Sequence, residues 1–232
     1  MTDESVKDEL KLLAEQLTSS EAEVVRKGLA RIASTVSRKP ELATHIDDMI
    51  PAVVSHLSHA DPTVRAACCW AVGHIGRRRP DCVSTVVPQL ANLAQSTSSK
   101  VREMAIWAMG VTGRAEPRIV ARYLPIIVER AKDAEGEVRL SAIWACENIA
   151  TQRPEWFADY LPLFIAMLDD PDTAHVRGEV PELFRVIGKR RPDLVECAIS
   201  ELRRKLDDSD RVTRLHAAGA LKAIERAKGG AN

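Results

Sequence analysis

Along the chain, apolar residues recur at three- and four-residue intervals inside blocks that themselves repeat. After Val64-Arg65 the apolar positions are Cys68, Ala71, Val72 and Ile75; after Val101-Arg102 they are Ala105, Ala108 and Met109; after Val138-Arg139 they are Ala142, Ala145, Cys146 and Ile149. Counted from each arginine, these are offsets of +3, +6, +7 and +10, the spacing of one buried face of an α-helix. A second, shorter apolar run lies upstream of each block. It opens at a proline, as in Pro51 to Leu57 and Pro162 to Leu168, and ends in polar turn residues such as Asp61-Pro62 or Asp169 to Asp172. Each block therefore predicts a helical hairpin.

The register is regular. Val-Arg pairs stand at Val25-Arg26, Val64-Arg65, Val101-Arg102, Val138-Arg139 and Val176-Arg177, and Arg214 continues the series, with steps of 39, 37, 37, 38 and 37 residues. Pro51, Pro88, Pro125 and Pro162 form an independent series with a step of 37. A fixed period of this size marks stacked units, because no single hairpin buries its stripe alone.

A proline in the first helix, an acidic turn and Val-Arg opening the second helix resemble the HEAT-repeat family over essentially the whole chain. The second block matches best, with Pro51, Asp61-Pro62 and Val64-Arg65. The resemblance implies an all-α fold, a right-handed α-solenoid of about six HEAT-like two-helix repeats at about 3–38, 39–77, 78–114, 115–152, 153–190 and 191–228. No Gly/Ser-rich linker interrupts the array, so 1–232 is read as one domain, with Ala227 to Asn232 as a frayed tail. The third repeat departs from the pattern: Ser96 to Lys100 stands where the acidic turn belongs, and the Asp-to-Arg ladder of the family is not expected there. Leu12 and Ser200 replace the first-helix proline in the first and last repeats, which read as caps.

Composition narrows the function classes. Lys plus Arg equals Asp plus Glu at 33 each, so net charge recommends neither nucleic acid nor membrane. Aromatics make up only 4% of the residues, which leaves small and aliphatic side chains to fill a helical core. The five cysteines, Cys68, Cys69, Cys82, Cys146 and Cys197, lack Cys-x-x-Cys spacing and read as thiols in a reducing interior. With an acidic start at Met1 to Ser5 and no long apolar run, the expected location is cytoplasmic, away from the membrane.

Two features carry candidate function. Trp70, Trp107 and Trp144 all lie at offset +5 from the repeat arginine. At about 100° per residue, that position points roughly 140° away from the core stripe. The family resemblance places second helices along the inner face, so the tryptophans are expected to line a groove that holds a peptide or helix of a partner protein. Gly73 and Gly110, one turn on, are expected to leave the indole faces uncovered, and His74, Asn148, Glu103, Glu147 and Glu182 complete the lining. The competing possibility is that each indole fills the joint between adjacent second helices. Trp144 followed by Asn148 is similar to the Trp-x-x-x-Asn element of importin-α-type armadillo repeats, although His74 and Val111 occupy the asparagine position in the neighbouring repeats.

The second feature is charge segregation. Turns after the second helix are basic: Arg38-Lys39-Pro40, Arg77, Arg78 and Arg79, Arg114 with Arg118, Arg153, and Lys189, Arg190 and Arg191. Turns within the hairpin are mostly acidic, as at Asp61, Asp133, Asp169 to Asp172 and Asp207 to Asp210. Either these charges complement helix dipoles, or the basic rim binds nucleic acid, as in HEAT-like DNA-alkylation glycosylases. A catalytic constellation is not found. No His-Glu pair matches the metal site of deoxyhypusine hydroxylase, and His56 with His59 reads as surface rather than metal-binding. Nothing specific supports a bilin lyase, no cofactor is implied, and binding rather than catalysis is the expected role.

Overall fold

In a computed structural model, residues 11–38, 46–173 and 175–229 are described. Lys39, Pro40, His45 and the expected acidic start at Met1 to Ser5 lie outside them. Among the described residues the structure is helical hairpins throughout, in two compact units, Met1–Ile126 and Ile127–Asn232.

The first unit follows a helical segment at residues 11–17 with α1 (Ala22–Arg38), α2 (Ile50–Ser55), α3 (Pro62–Arg78), α4 (Val87–Leu93) and α5 (Ser99–Ala115). Of these, α3 packs between α1 and α5, while the short helices α2 and α4 lie against α3 and α5. The helix α6 (Leu124–Glu129) spans the boundary between units. In the second unit come α7 (Gly136–Ala150), α8 (Leu161–Met167), α9 (Val176–Arg190), α10 (Ile199–Arg204) and α11 (Arg211–Gly229), with α9 packed between α7 and α11. The expected frayed tail is partly overturned. Ala227, Lys228 and Gly229 continue α11, and Lys228 Nζ sits 2.8 Å from Glu196 Oε1, fastening the last turn to the 3-10 turn that leads into α10.

Proline punctuates the hairpins. Arg79, Glu116, Arg153 and Arg191 each precede a proline and have φ between −134° and −144°, outside the helical region that a following pyrrolidine ring disfavours. Each still donates its N–H to the carbonyl four residues back, as Arg79 does to Ile75 at 2.7 Å, so the second helix ends with that bond made. Pro51, Pro88 and Pro162 stand in the first turn of α2, α4 and α8, where a missing N–H costs nothing.

The repeat arginine has a backbone task. One Nη1 reaches two carbonyls of its own turn: Arg65 to His59 and Ala60, Arg102 to Ser96 and Thr97, Arg139 to Asp133 and Ala134, Arg214 to Asp208 and Ser209, at 2.5 to 3.2 Å. The aspartates of these turns accept backbone N–H groups; Asp61 Oδ1, for example, receives Thr63 N at 2.7 Å and caps α3. In the second unit the arginine also grips the next acidic turn. Arg139 makes a bidentate pair with buried Asp170, both bonds 2.9 Å, and Arg177 lies 3.3 Å from Asp208. The position that would serve Arg65 in this way is Ser96, as the departure of the third repeat foretold.

Candidate functional site

On the second helices, the expected core stripe is buried: Val64, Cys68, Ala71, Val72 and Ile75 have no exposed surface, and neither have Val138, Ala142, Cys146 and Ile149. Burial also extends to offset +4, where Cys69, Ile106 and Ile143 are inaccessible. The reason is that a second helix is flanked by its neighbours as well as covered by its first helix. The +5 position is thus at the edge of the buried arc. Trp70 and Trp107 are half-buried, and Trp144 is 37% exposed.

In the first unit, Trp70, His74 and Trp107 form a continuous ring contact. The His74 imidazole stands edge-on to Trp70 at a centroid distance of 5.0 Å and is tilted against Trp107 at 5.1 Å. Gly73 does not leave the indole bare, contrary to expectation: a Cβ there would fall 2.5 Å from Trp107 Cζ3 and 3.0 Å from the Ala108 Cα. The glycine is the seat of the next repeat's indole, so Trp107 occupies the α3–α5 joint on one side. Burial of His74, with the Arg77 and Arg78 cations nearby, holds its imidazole below the usual histidine value and favours the neutral ring.

One turn towards the N-terminus of the same face lies an open cavity of about 500 Å³. Pro62, Ala66, Ala67 and Trp70 of α3 and Met104 of α5 give it apolar walls. Arg26 and Lys100 stand at its rim, each tied to a glutamate of its own helix, Glu23 at 2.7 Å and Glu103 at 2.9 Å. Glu103 is therefore a partner of Lys100. Sequence reasoning missed Ala66, Ala67 and Met104. Their offsets of +1 and +2 lie one turn before +5 on the same side of the helix, and that was the available signal.

In the second unit, the Trp144 indole Nε1 donates to Glu179 Oε2 at 3.2 Å. Asn148 Nδ2 donates back to the Trp144 carbonyl at 2.9 Å. Glu182, which takes the +5 position of its repeat, is bonded to Arg185 at 2.6 Å, and Glu147 lies close enough to act on the same guanidinium. His216 Nδ1 is 2.8 Å from the Gly178 carbonyl. At the last +5 position stands Gly219, and the Arg185 Cδ lies over it, 4.0 Å from where a Cβ would be.

Many members of the basic rim are engaged. Arg79 Nη2 reaches Asp47 at 3.1 Å, Arg191 makes two bonds to Asp193 at 2.7 and 2.9 Å, and Arg153 sits 3.8 Å from Glu155 and 5.8 Å from the Trp156 ring centroid. Arg78 donates weakly to the Ser37 carbonyl at 3.4 Å. Arg77, Arg114, Lys189 and Arg190 are exposed. Neighbouring acids thus engage Arg79, Arg153 and Arg191, the arginines before proline.

The remaining candidates are structural. Cys68 Sγ donates to the Val53 carbonyl at 3.1 Å, and burial pushes the Cys69 thiol up to about 12 and the Cys146 thiol higher still. His56 Nε2 is 3.1 Å from the Leu17 carbonyl, and His59 Nδ1 accepts from Asp61 N. Among the described residues no acid, histidine and cysteine cluster can hold a metal, and no helix is long and apolar enough to cross a membrane.

The family model of HEAT repeats matches residues 50–122. No curated protein matches the chain. Among solved structures it is similar to Kap121p, at 19% identity and a TM-score of 0.79, over 95% of this chain and 23% of that one. An engineered protein is similar over 97% of this chain and 100% of its own, at 20% identity and a TM-score of 0.76. A designed armadillo repeat protein in complex with the peptide (KR)4 is similar over 93% of this chain and 99% of that one, at 20% identity and a TM-score of 0.73.

Proposed function

We propose that this chain, a HEAT-repeat solenoid, is a protein-binding scaffold whose first unit receives an apolar side chain or helix of a partner beside Trp70. The observation that carries the reading is the open cavity of about 500 Å³ walled by Pro62, Ala66, Ala67, Trp70 and Met104. Partly exposed tryptophan in a concave apolar pocket is what an interface anchor requires. His74 and Trp107 back the anchor and keep Trp70 from turning. In the second unit Trp144, with Asn148 behind it, offers another contact. The complexed peptide of the designed armadillo relative supports the general mode, and a peptide or protein partner suits the array better than a small substrate. Nucleic-acid binding by the basic rim has less support, because Arg79, Arg153 and Arg191 already stand beside acids of their own chain. An intracellular location, drawn from five free thiols, belongs to the same reading.

A photo-crosslinking side chain placed at Ala67, with exposed Gln152 as the control position, tests this in the cell of origin. The expected result is a discrete set of protein cross-links at Ala67 that disappears when Trp70→Ala is added. Identical cross-links at both positions, or persistence in the Trp70→Ala background, would refute the cavity as the binding site.

A further inference from the structure

A second cavity, of about 460 Å³, lies in the second unit between the C-terminal halves of α9 and α11. Its lining is cationic, with Arg185 and Lys189 from α9, Lys222 and Arg226 from α11, and a floor of small residues including Gly219 and Ala223. The repeat register explains how it forms. In the second and third repeats the +5 position is tryptophan, and Trp107 fills the joint over Gly73, the +8 position of the preceding helix. In the last two repeats the sizes are exchanged. The +5 position becomes Gly219, the preceding +8 becomes Arg185, and the volume an indole would take stays open beneath the arginine stem.

We infer that this cleft binds a short acidic segment of a partner protein, presented as an extended strand. The four cations occupy offsets +8 and +12 on both helices. Four residues span about 6 Å along a helix, and neighbouring helix axes lie about 8–10 Å apart. Alternate side chains of an extended peptide fall about 6–7 Å apart on one face, so carboxylates at every second residue meet the cations in register. Arg185 is partly neutralised by Glu182, whereas Lys189, Lys222 and Arg226 are exposed in the outer part of the cleft. Glu182 is bonded to Arg185 at one side of the patch, and exposed Glu225 directly precedes Arg226 on α11. A few carboxylates fit against the cations; a polyanion continuing past them would run against these glutamates.

The inference extends the scaffold reading to a separate surface, and either can fail alone. The probe is a fluorescein-labelled, alternating Glu-Ser peptide titrated against the full chain by anisotropy, with a short single-stranded DNA as competitor. Binding at low salt that weakens as salt rises is expected, with a loss of roughly tenfold or more in Lys222→Glu/Arg226→Glu. Both side chains are exposed, so the fold is retained, which circular dichroism checks. Gly219→Trp fills the floor without removing a charge and is expected to lower affinity as well, whereas Trp70→Ala leaves it unchanged. The inference is overturned by absence of peptide binding at low salt, by undiminished affinity in either cleft variant, or by DNA displacing the peptide at lower concentration than unlabelled peptide does.

Discussion

Trp107 of one repeat rests on Gly73 of the repeat before it, close enough that a single methyl on the glycine would meet the indole at 2.5 Å. The α3–α5 joint is thus closed by a large residue against the smallest one. Gly73→Ala should push the indole or the helix pair apart and cost about 1–3 kcal/mol, the range for overpacking a filled site. Urea unfolding measures it. In the Trp107→Ala background the same substitution should cost far less, and equal costs in both backgrounds would show that the contact is not what limits the joint.

Thr112 presents the opposite case. Its Oγ1 is buried without a hydrogen-bond partner, in a side chain with no exposed surface. Thr112→Val keeps the shape and removes a desolvated hydroxyl, and a gain of about 0.5–1 kcal/mol in unfolding free energy is expected. Thermal unfolding of the two proteins side by side decides it, a lower midpoint for the valine variant being the contrary result.

Lys205 is buried between two carboxylates, 2.8 Å from Asp169 and 2.9 Å from Asp208. Lys205→Ala leaves Asp208 with Arg177 as its remaining cation. The expected loss is about 2–4 kcal/mol, somewhat below the full cost of orphaning a buried charge because Arg177 stays in place. Lys205→Met, which restores the stem but not the charge, should recover only part of this in a denaturant series.

Acid should weaken the same region. Hydrogen bonds from Arg204 and then Lys205 draw the Asp169 carboxyl down to about 2. A carboxylate with a folded value below its unfolded one, about 3.9, contributes stability above that pH and loses it as pH falls towards the folded value. The window is therefore between about pH 4 and about pH 2. Asp169 is 55% exposed, so screening keeps the effect below about 1 kcal/mol. Asp169→Asn should flatten the stability curve across that window, and an unchanged curve would contradict the assignment.

His74 titrates in the other direction of charge. Desolvation first, then the Arg77 and Arg78 cations, lower its folded value beneath that of the unfolded chain, about 6.5. Below that pH the unfolded state binds the extra proton, so stability declines as pH drops through and under 6.5. His74→Phe removes this dependence, and its stability relative to the parent should rise between neutral pH and about pH 5. Tryptophan fluorescence of the folded protein reports the same titration, since the ring touches both Trp70 and Trp107.

The hairpin register was readable because the repeat arginine performs the same backbone task at Arg65, Arg102, Arg139 and Arg214. Any residue that must reach two carbonyls five and six positions back leaves a strict spacing in the chain. Pro51, Pro88 and Pro162 were readable for a similar reason, since a first helical turn tolerates a missing N–H. Burial at Cys69, Ile106 and Ile143 was less accessible: periodicity within one helix reports its strongest face, whereas contact with two flanking helices is a property of the stack. The role of Gly73 was misread because an empty glycine and a glycine under a neighbour's indole look alike until the indole is placed. The cations of the second cleft were visible individually, yet Arg185 and Lys222 share an offset with Gly73, not with the turn residues among which positive charge was sought.

Because Arg65, Arg102, Arg139 and Arg214 each fasten their own turn, these hairpins bring their internal hardware with them. Duplicating or excising one whole period hands the chain a finished part, with no carbonyl stranded at the seam. Lengthening by copying is then nearly free of structural penalty in the backbone, and what distinguishes one copy from the next can drift at offsets +5 and +8. Selection acting on those two places can convert an aromatic step into a charged hollow while the frame stays as it was.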